Sequence, residues 1–164
     1  MEKCKTQIIK NAIPKETADN LYDYLKDNAN WVESIKSRRD RENGGFTRFG
    51  CLINIEEYPA IQVIVSEILD KVQKNKNHKG YIIGDVYLNW YKDGTMWSPN
   101  HSHKGVHSLV ISTGVTRQFV LGKKIIDVEN GDAVMFGSAI HGIPKQSEIK
   151  GGRISIAVFL VPIQ

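Results

Sequence analysis

Three of the chain's five histidines stand close together, at His101, His103 and His107. A fourth, His141, follows a run that reads as a strand, Asp132-Ala133-Val134-Met135-Phe136. His101 and His103 are two residues apart, so in an extended segment both side chains point to one face. An imidazole returning from a later strand, His141, would complete three nitrogen ligands on one side of a metal ion. The ion's other side would stay open, as in catalytic non-haem iron sites. A buried structural role is what an isolated His-x-His pair would favour. The residues around this pair favour the metal.

The terminal apolar run Arg153-Ile154-Ser155-Ile156-Ala157-Val158-Phe159 carries an arginine, with Arg153 and Ser155 on one face. A guanidinium on such a strand is costly unless paired. Either an internal Asp or Glu or a bound carboxylate would serve; the latter matches the guanidinium with two hydrogen bonds. In Leu88-Asn89-Trp90-Tyr91, Asn89 and Tyr91 share a face and Trp90 points the other way. A basic run, Lys36, Arg38, Arg39, Arg41 and Arg48 against Asp40 and Glu42, also contains Phe46 and Phe49. Basic side chains interleaved with aromatics suit a nucleic-acid backbone and an unstacked base. On charge alone, a solvated, partly mobile loop is the favoured reading of the run.

These residues need a scaffold. Ala18, Leu21, Tyr22 and Leu25 recur at helical spacing after Pro14, which predicts a helix over 15–28. Ile61, Ile64, Val65, Ile68, Leu69 and Val72 form a stripe after Pro59, which predicts a second over 59–74. Beyond Tyr81 short β-branched and aromatic runs alternate with glycine-marked turns, and the strand candidates are 81–91, 106–113, 116–121, 123–128, 132–136 and 153–162. Closely spaced strands without intervening helices predict an antiparallel sandwich or barrel. The fold class is therefore α+β, a jelly-roll core with two N-terminal helices packed on one face.

The 164 residues suit one domain, with helices and a substrate lid over 1–80 and the catalytic core over 81–164. Hydrophobic content of 41% and charged content of 24% are ordinary for a globular protein, and a net charge of +4 is compatible with a polyanionic partner without requiring one. No apolar run is long enough to span a bilayer and no signal-peptide core is present, so no membrane partner is expected. Cys4 and Cys51 form neither a metal-spacing motif nor a disulfide framework. A reducing intracellular compartment, cytoplasm or nucleus, fits them. Oligomeric state is not legible.

Taken in order, Asn89-x-Tyr91, Gly94, His101-x-His103, Ser112-x-Gly114, Phe119, Gly131-Asp132, His141 and Arg153 resemble the AlkB-like family of iron- and 2-oxoglutarate-dependent dioxygenases. The resemblance is strongest from Tyr87 to Leu160. It implies a double-stranded β-helix holding one Fe(II), with 2-oxoglutarate as cosubstrate. His101, His103 and His141 would be the metal ligands. Asn89 and Tyr91 would hydrogen-bond the oxoacid, Arg153 would pair with its far carboxylate, and Ser155 would assist. No catalytic residue beyond the ligands is implied. The activity implied is oxidative demethylation or hydroxylation of a base in DNA or RNA. A base must be exposed for this, so the partner would be a single strand or a flipped nucleotide. Arg38, Arg39 and Arg41 would hold phosphates, and Phe46, Phe49 or Trp31 would stack on the base.

Three departures from the pattern bear on this. His103 stands where the family has an aspartate, which removes one negative charge from the site and favours competition from zinc or copper. His107 is an alternative third ligand if the strand register slips. Phe159 stands where a second arginine is often found, and Lys104-Gly105 where some members carry a carboxylate beside the base. A related oxygenase acting on a protein or small molecule, or a metal-binding pseudoenzyme that binds nucleic acid, are the other readings.

Overall fold

The computed structural model describes residues 4–34, 47–73 and 79–163. The first helix, α1, spans Lys15–Asn28; Pro14 precedes it, with Glu16 in its first turn and Lys26 in its last. These charges complement the helix dipole. Pro59 opens the second helix, α2, at Pro59–Val72, where its missing N–H costs nothing. The apolar stripes of both helices are buried as their spacing predicts.

Eleven strands are described: β1 (Gln7–Ile9), β2 (Val32–Ser34), β3 (Arg48–Ile53), β4 (Gly80–Tyr91), β5 (Ser98–His101), β6 (His107–Gly114), β7 (Arg117–Leu121), β8 (Lys124–Val128), β9 (Ala133–Phe136), β10 (His141–Ile143) and β11 (Arg153–Ile163). They form a seven-stranded sheet ordered β1-β9-β6-β11-β4-β3-β2 and a four-stranded sheet ordered β5-β10-β7-β8. Every pairing is antiparallel. This is a double-stranded β-helix, the jelly roll expected from the strand spacing. The N-terminal half departs from its expected division into helices and lid. Strands β1, β2 and β3 come from residues before 80 and join the larger sheet.

Alternation along the strands separates two cores. On the outer face of the larger sheet Leu88, Leu109, Ile111, Met135, Ile154, Ile156 and Val158 pack with the stripes of α1 and α2. Between the sheets lie Tyr91, Val110, Phe119, Leu121, Val134, Phe136 and Ile143. The interior strand β6 is covered on both faces and is buried almost throughout. No helix among the described residues is long and apolar enough to cross a membrane.

Candidate metal centre and cosubstrate cavity

His101 ends β5 and His141 begins β10, and the two residues are direct partners across that antiparallel pair. Their ring centroids are 4.2 Å apart. Gly142 permits the approach, because a Cβ there would collide with the Asn100 side chain. His103 lies just beyond β5, and its ring is 4.9 Å from that of His101 and 5.2 Å from that of His141. One potential ligand atom from each histidine lies within 4.8 Å of the others.

The backbone selects the tautomers of two of these rings. His101 Nδ1 is 2.8 Å from Pro99 O, and His141 Nδ1 is 2.9 Å from Ala139 O. A carbonyl only accepts, so each Nδ1 carries the proton and the lone pair of the neutral ring sits on Nε2. Metal-binding histidines are commonly oriented this way. Phe136 packs 4.5 Å from the His141 ring, and Phe159 stands edge-on to His103 at 4.9 Å. The site where the resemblance suggested a second arginine is therefore an aromatic wall for the third histidine.

The histidines line a cavity of about 290 Å³ between the sheets. Asn89, Tyr91, Arg153 and Ser155 line the same cavity. Register explains why: Tyr91 is opposite Arg153, and Asn89 is opposite Ser155, across β4 and β11. Val110, Phe119, Phe136 and Ile143 supply apolar walls. Leu52, Asp85, Tyr87 and Phe159 also line it, with Leu52 and Asp85 exposed at its mouth. Asp85 is the sole carboxylate among the described lining residues; the cationic side chains there are Arg48 and Arg153.

Arg153 is 1% exposed. Its Nη2 donates to Ser112 Oγ at 2.9 Å, but Nε and Nη1 have no partner among the described residues. Burial pushes its pKa down to about 10, with the phenol of Tyr91 opposing the fall and Arg117 adding to it. Of the two partners its sequence allowed, no internal Asp or Glu is present among the described ion pairs. Buried, charged and short of acceptors, it fits a carboxylate ligand. The donor chemistry of the three histidines likewise fits a divalent transition metal.

Several expected contacts fall elsewhere. Phe49 is opposite Trp90 across β3 and β4 and packs on its ring at 5.2 Å, so it faces away from the cavity. Trp31 joins that cluster, 5.5 Å from Trp90, and its indole N–H donates to Leu25 O at 3.1 Å. Neither is placed to stack on a substrate in the cavity: strand alternation puts Trp90 and its partners on the opposite face from Asn89 and Tyr91. His107 is buried with its Nδ1 3.2 Å from Tyr81 Oη, which leaves His103 as the third member of the cluster. Lys36, Arg38, Arg39, Arg41 and Phe46 lie outside the described residues. Arg48, Asp85 and Tyr87 had no assigned role in the sequence; the two-residue alternation along β4 from Tyr91 and Asn89 back to Tyr87 and Asp85 could have found the latter pair.

No family model matches the chain, and no curated protein matches it in sequence. Solved structures match in fold. OsALKBH1 superposes with a TM-score of 0.68 at 11% identity, covering 97% of this chain and 99% of its own. HygX from Streptomyces hygroscopicus, solved with nickel and 2-oxoglutarate bound, gives 0.70 at 10% identity, covering 96% and 82%. An oxidoreductase of the 2OG-Fe(II) oxygenase family from Burkholderia pseudomallei gives 0.65 at 12% identity, covering 95% and 84%. The chain therefore has the fold of the 2-oxoglutarate- and iron-dependent oxygenases, with a histidine cluster able to hold a metal ion.

Proposed function

We propose that this chain is an Fe(II)/2-oxoglutarate-dependent dioxygenase that demethylates or hydroxylates a base in DNA or RNA. The observation that carries the oxygenase assignment is one cavity lined by both the three-histidine cluster and a buried arginine with two unmet N–H groups. When bound, iron and 2-oxoglutarate would activate O2, one oxygen atom entering a substrate C–H bond and the other remaining in the succinate formed as the oxoacid loses CO2. His101 and His141 present Nε2 because their Nδ1 protons are held by backbone carbonyls. Arg153 takes the far carboxylate of the oxoacid, beside Tyr91 and Ser155. Phe119, Phe136, Val110 and Ile143 keep water from the middle of the cavity. Leu52, Tyr87, Asp85 and Phe159 meet the substrate at the mouth.

The nucleic-acid assignment is supported by the basic run from Lys36 to Arg41. Phosphate contacts there would supply affinity while the cavity selects the base. Hydroxylation of an N-methyl carbon would give a hemiaminal that releases formaldehyde. A protein side chain or small molecule as substrate is the second reading. It is favoured by the position of Phe49, which removes one of the aromatic platforms a base would use.

Anaerobic titration with Fe(II) and 2-oxoglutarate tests the oxygenase assignment. Chelation of the iron by the oxoacid produces a visible charge-transfer band. Metal binding without that band would overturn the assignment. Succinate release stimulated by a methylated single-stranded oligonucleotide, and not by peptides, separates the two substrates.

A further inference from the structure

We infer that Arg48 is a positioning residue for the cosubstrate site: it fixes the orientation of the Asn89 carboxamide so that the amide N–H2 group faces the bound oxoacid. The inference rests on the oxygenase assignment above and adds a residue to it. Arg48 opens β3 and is 4% exposed, unusual burial for an arginine with no ion pair among the described residues. Its Nε donates to Asn89 Oδ1 at 2.7 Å, and its Nη1 donates to Thr47 Oγ1 at 3.0 Å. A guanidinium has donors and no acceptor, so the atom it meets on Asn89 is necessarily the oxygen.

A carboxamide has two nearly isosteric orientations, and only one of them offers hydrogens to a carboxylate. Turning Asn89 over would break the 2.7 Å bond and set its N–H2 against the N–H of Arg48, donor to donor. Arg48 therefore removes the wrong orientation before any ligand arrives. Register makes the reach possible. Asn89 is opposite Gly50, two residues along β3 from Arg48, and no side chain at Gly50 intervenes. A Cβ there would collide with the phenol of Tyr87, so the strand is kept bare where Arg48 leans across. The result is a wall of donors, with the Asn89 amide one strand across from Ser155 and the unmet N–H groups of Arg153 two residues further along β11.

A double-mutant cycle tests this, with 2-oxoglutarate affinity of the Fe(II)-loaded protein read anaerobically. Arg48→Met and Asn89→Ala should each weaken the oxoacid about tenfold, with iron affinity unchanged. The double variant should be no weaker than Asn89→Ala, because Arg48 acts through Asn89. Losses that multiply would overturn the inference, since Arg48 would then touch the ligand directly. Asn89→Asp keeps the acceptor for Arg48 but presents an acceptor to the oxoacid, so it should lose more affinity than Asn89→Ala; an equal or smaller loss counts against us. A ligand-independent readout is the side-chain amide resonance pair of Asn89 in ¹⁵N-labelled protein. Arg48→Met should speed its exchange with water, and Arg48→Lys should restore it; a pair unmoved by Arg48→Met overturns the role of Arg48. Wild-type protein that binds iron but no oxoacid would overturn the oxygenase assignment instead.

Discussion

Arg153 and Ser112 share a hydrogen bond of 2.9 Å, which holds a guanidinium with two further buried donors unmet. Arg117, equally buried, shows the opposite state. Its Nε donates to Gln146 Oε1, its Nη1 to Asp93 O, and its Nη2 to Met96 O and Pro144 O. One arginine is satisfied by the fold, and the other keeps two donors unmet.

Replacing Arg153 should therefore separate binding from stability. Arg153→Met should weaken 2-oxoglutarate by about 1.5–3 kcal/mol, roughly 10- to 150-fold. The ligand-free variant should unfold at the wild-type temperature or above it, because an unpaired buried cation has been removed. Calorimetry with and without the oxoacid measures both. A variant with unchanged affinity and lowered Tm would make Arg153 structural.

The histidines divide in the same way. His141→Ala should abolish stoichiometric Fe(II) binding, since it removes one of the three proposed ligands. His107→Ala should leave iron binding intact and cost stability, because it removes a buried ring and its hydrogen bond to Tyr81 Oη. Metal content after gel filtration, alongside thermal unfolding, distinguishes them. Loss of iron in His107→Ala would reassign the third ligand.

Asp132 belongs to the scaffold. It accepts from Lys10 Nζ at 2.5 Å and from the amides of Asn11 at 3.0 Å and Glu129 at 2.9 Å. Burial pushes its carboxyl up, but Lys10 and the two amides outweigh burial and hold it below its ordinary value. Its stabilisation is therefore complete above the unfolded value of about 3.9 and is lost as pH falls through the lower folded value. Asp132→Asn should cost about 1.5–3 kcal/mol at pH 7. Urea unfolding should show that gap constant from pH 7 to about 4 and shrinking below it. A gap that widens in acid would refute the ion pair's role.

If the basic run holds a single strand through Lys36, Arg38, Arg39 and Arg41, four phosphates are neutralised. The plot of log affinity against log salt should then slope at about −3. Replacing all four residues with Gln should flatten it. A slope near zero in the wild type would favour the protein or small-molecule substrate.

The sequence carried the larger elements well. The helices expected at 15–28 and 59–74 are observed at Lys15–Asn28 and Pro59–Val72, and six strands fall within a residue or so of their expected spans. What it hid were the strands that carry two of the clustered histidines, His101 and His141. Ser98-Pro99-Asn100-His101 and His141-Gly142-Ile143 have no apolar alternation, and each contains a residue that strands disfavour. They are strands because they pair with each other, and β10 also with β7. The histidines that cluster were legible by residue type and order while their secondary structure was not. Phe49 was misleading because composition reports an aromatic in a basic run but not which face of a strand it occupies. Arg48 was overlooked because charge alone cannot separate a solvated arginine from one that reaches over to the neighbouring strand.

Two buried cations share one aromatic ring. Arg117, tied to three backbone carbonyls, lies 5.4 Å from the Tyr91 ring, and Arg153 lies 5.6 Å from it. The anchored arginine of the scaffold and the under-satisfied arginine of the cavity are thus one side chain apart, so replacing Tyr91 would disturb both at once.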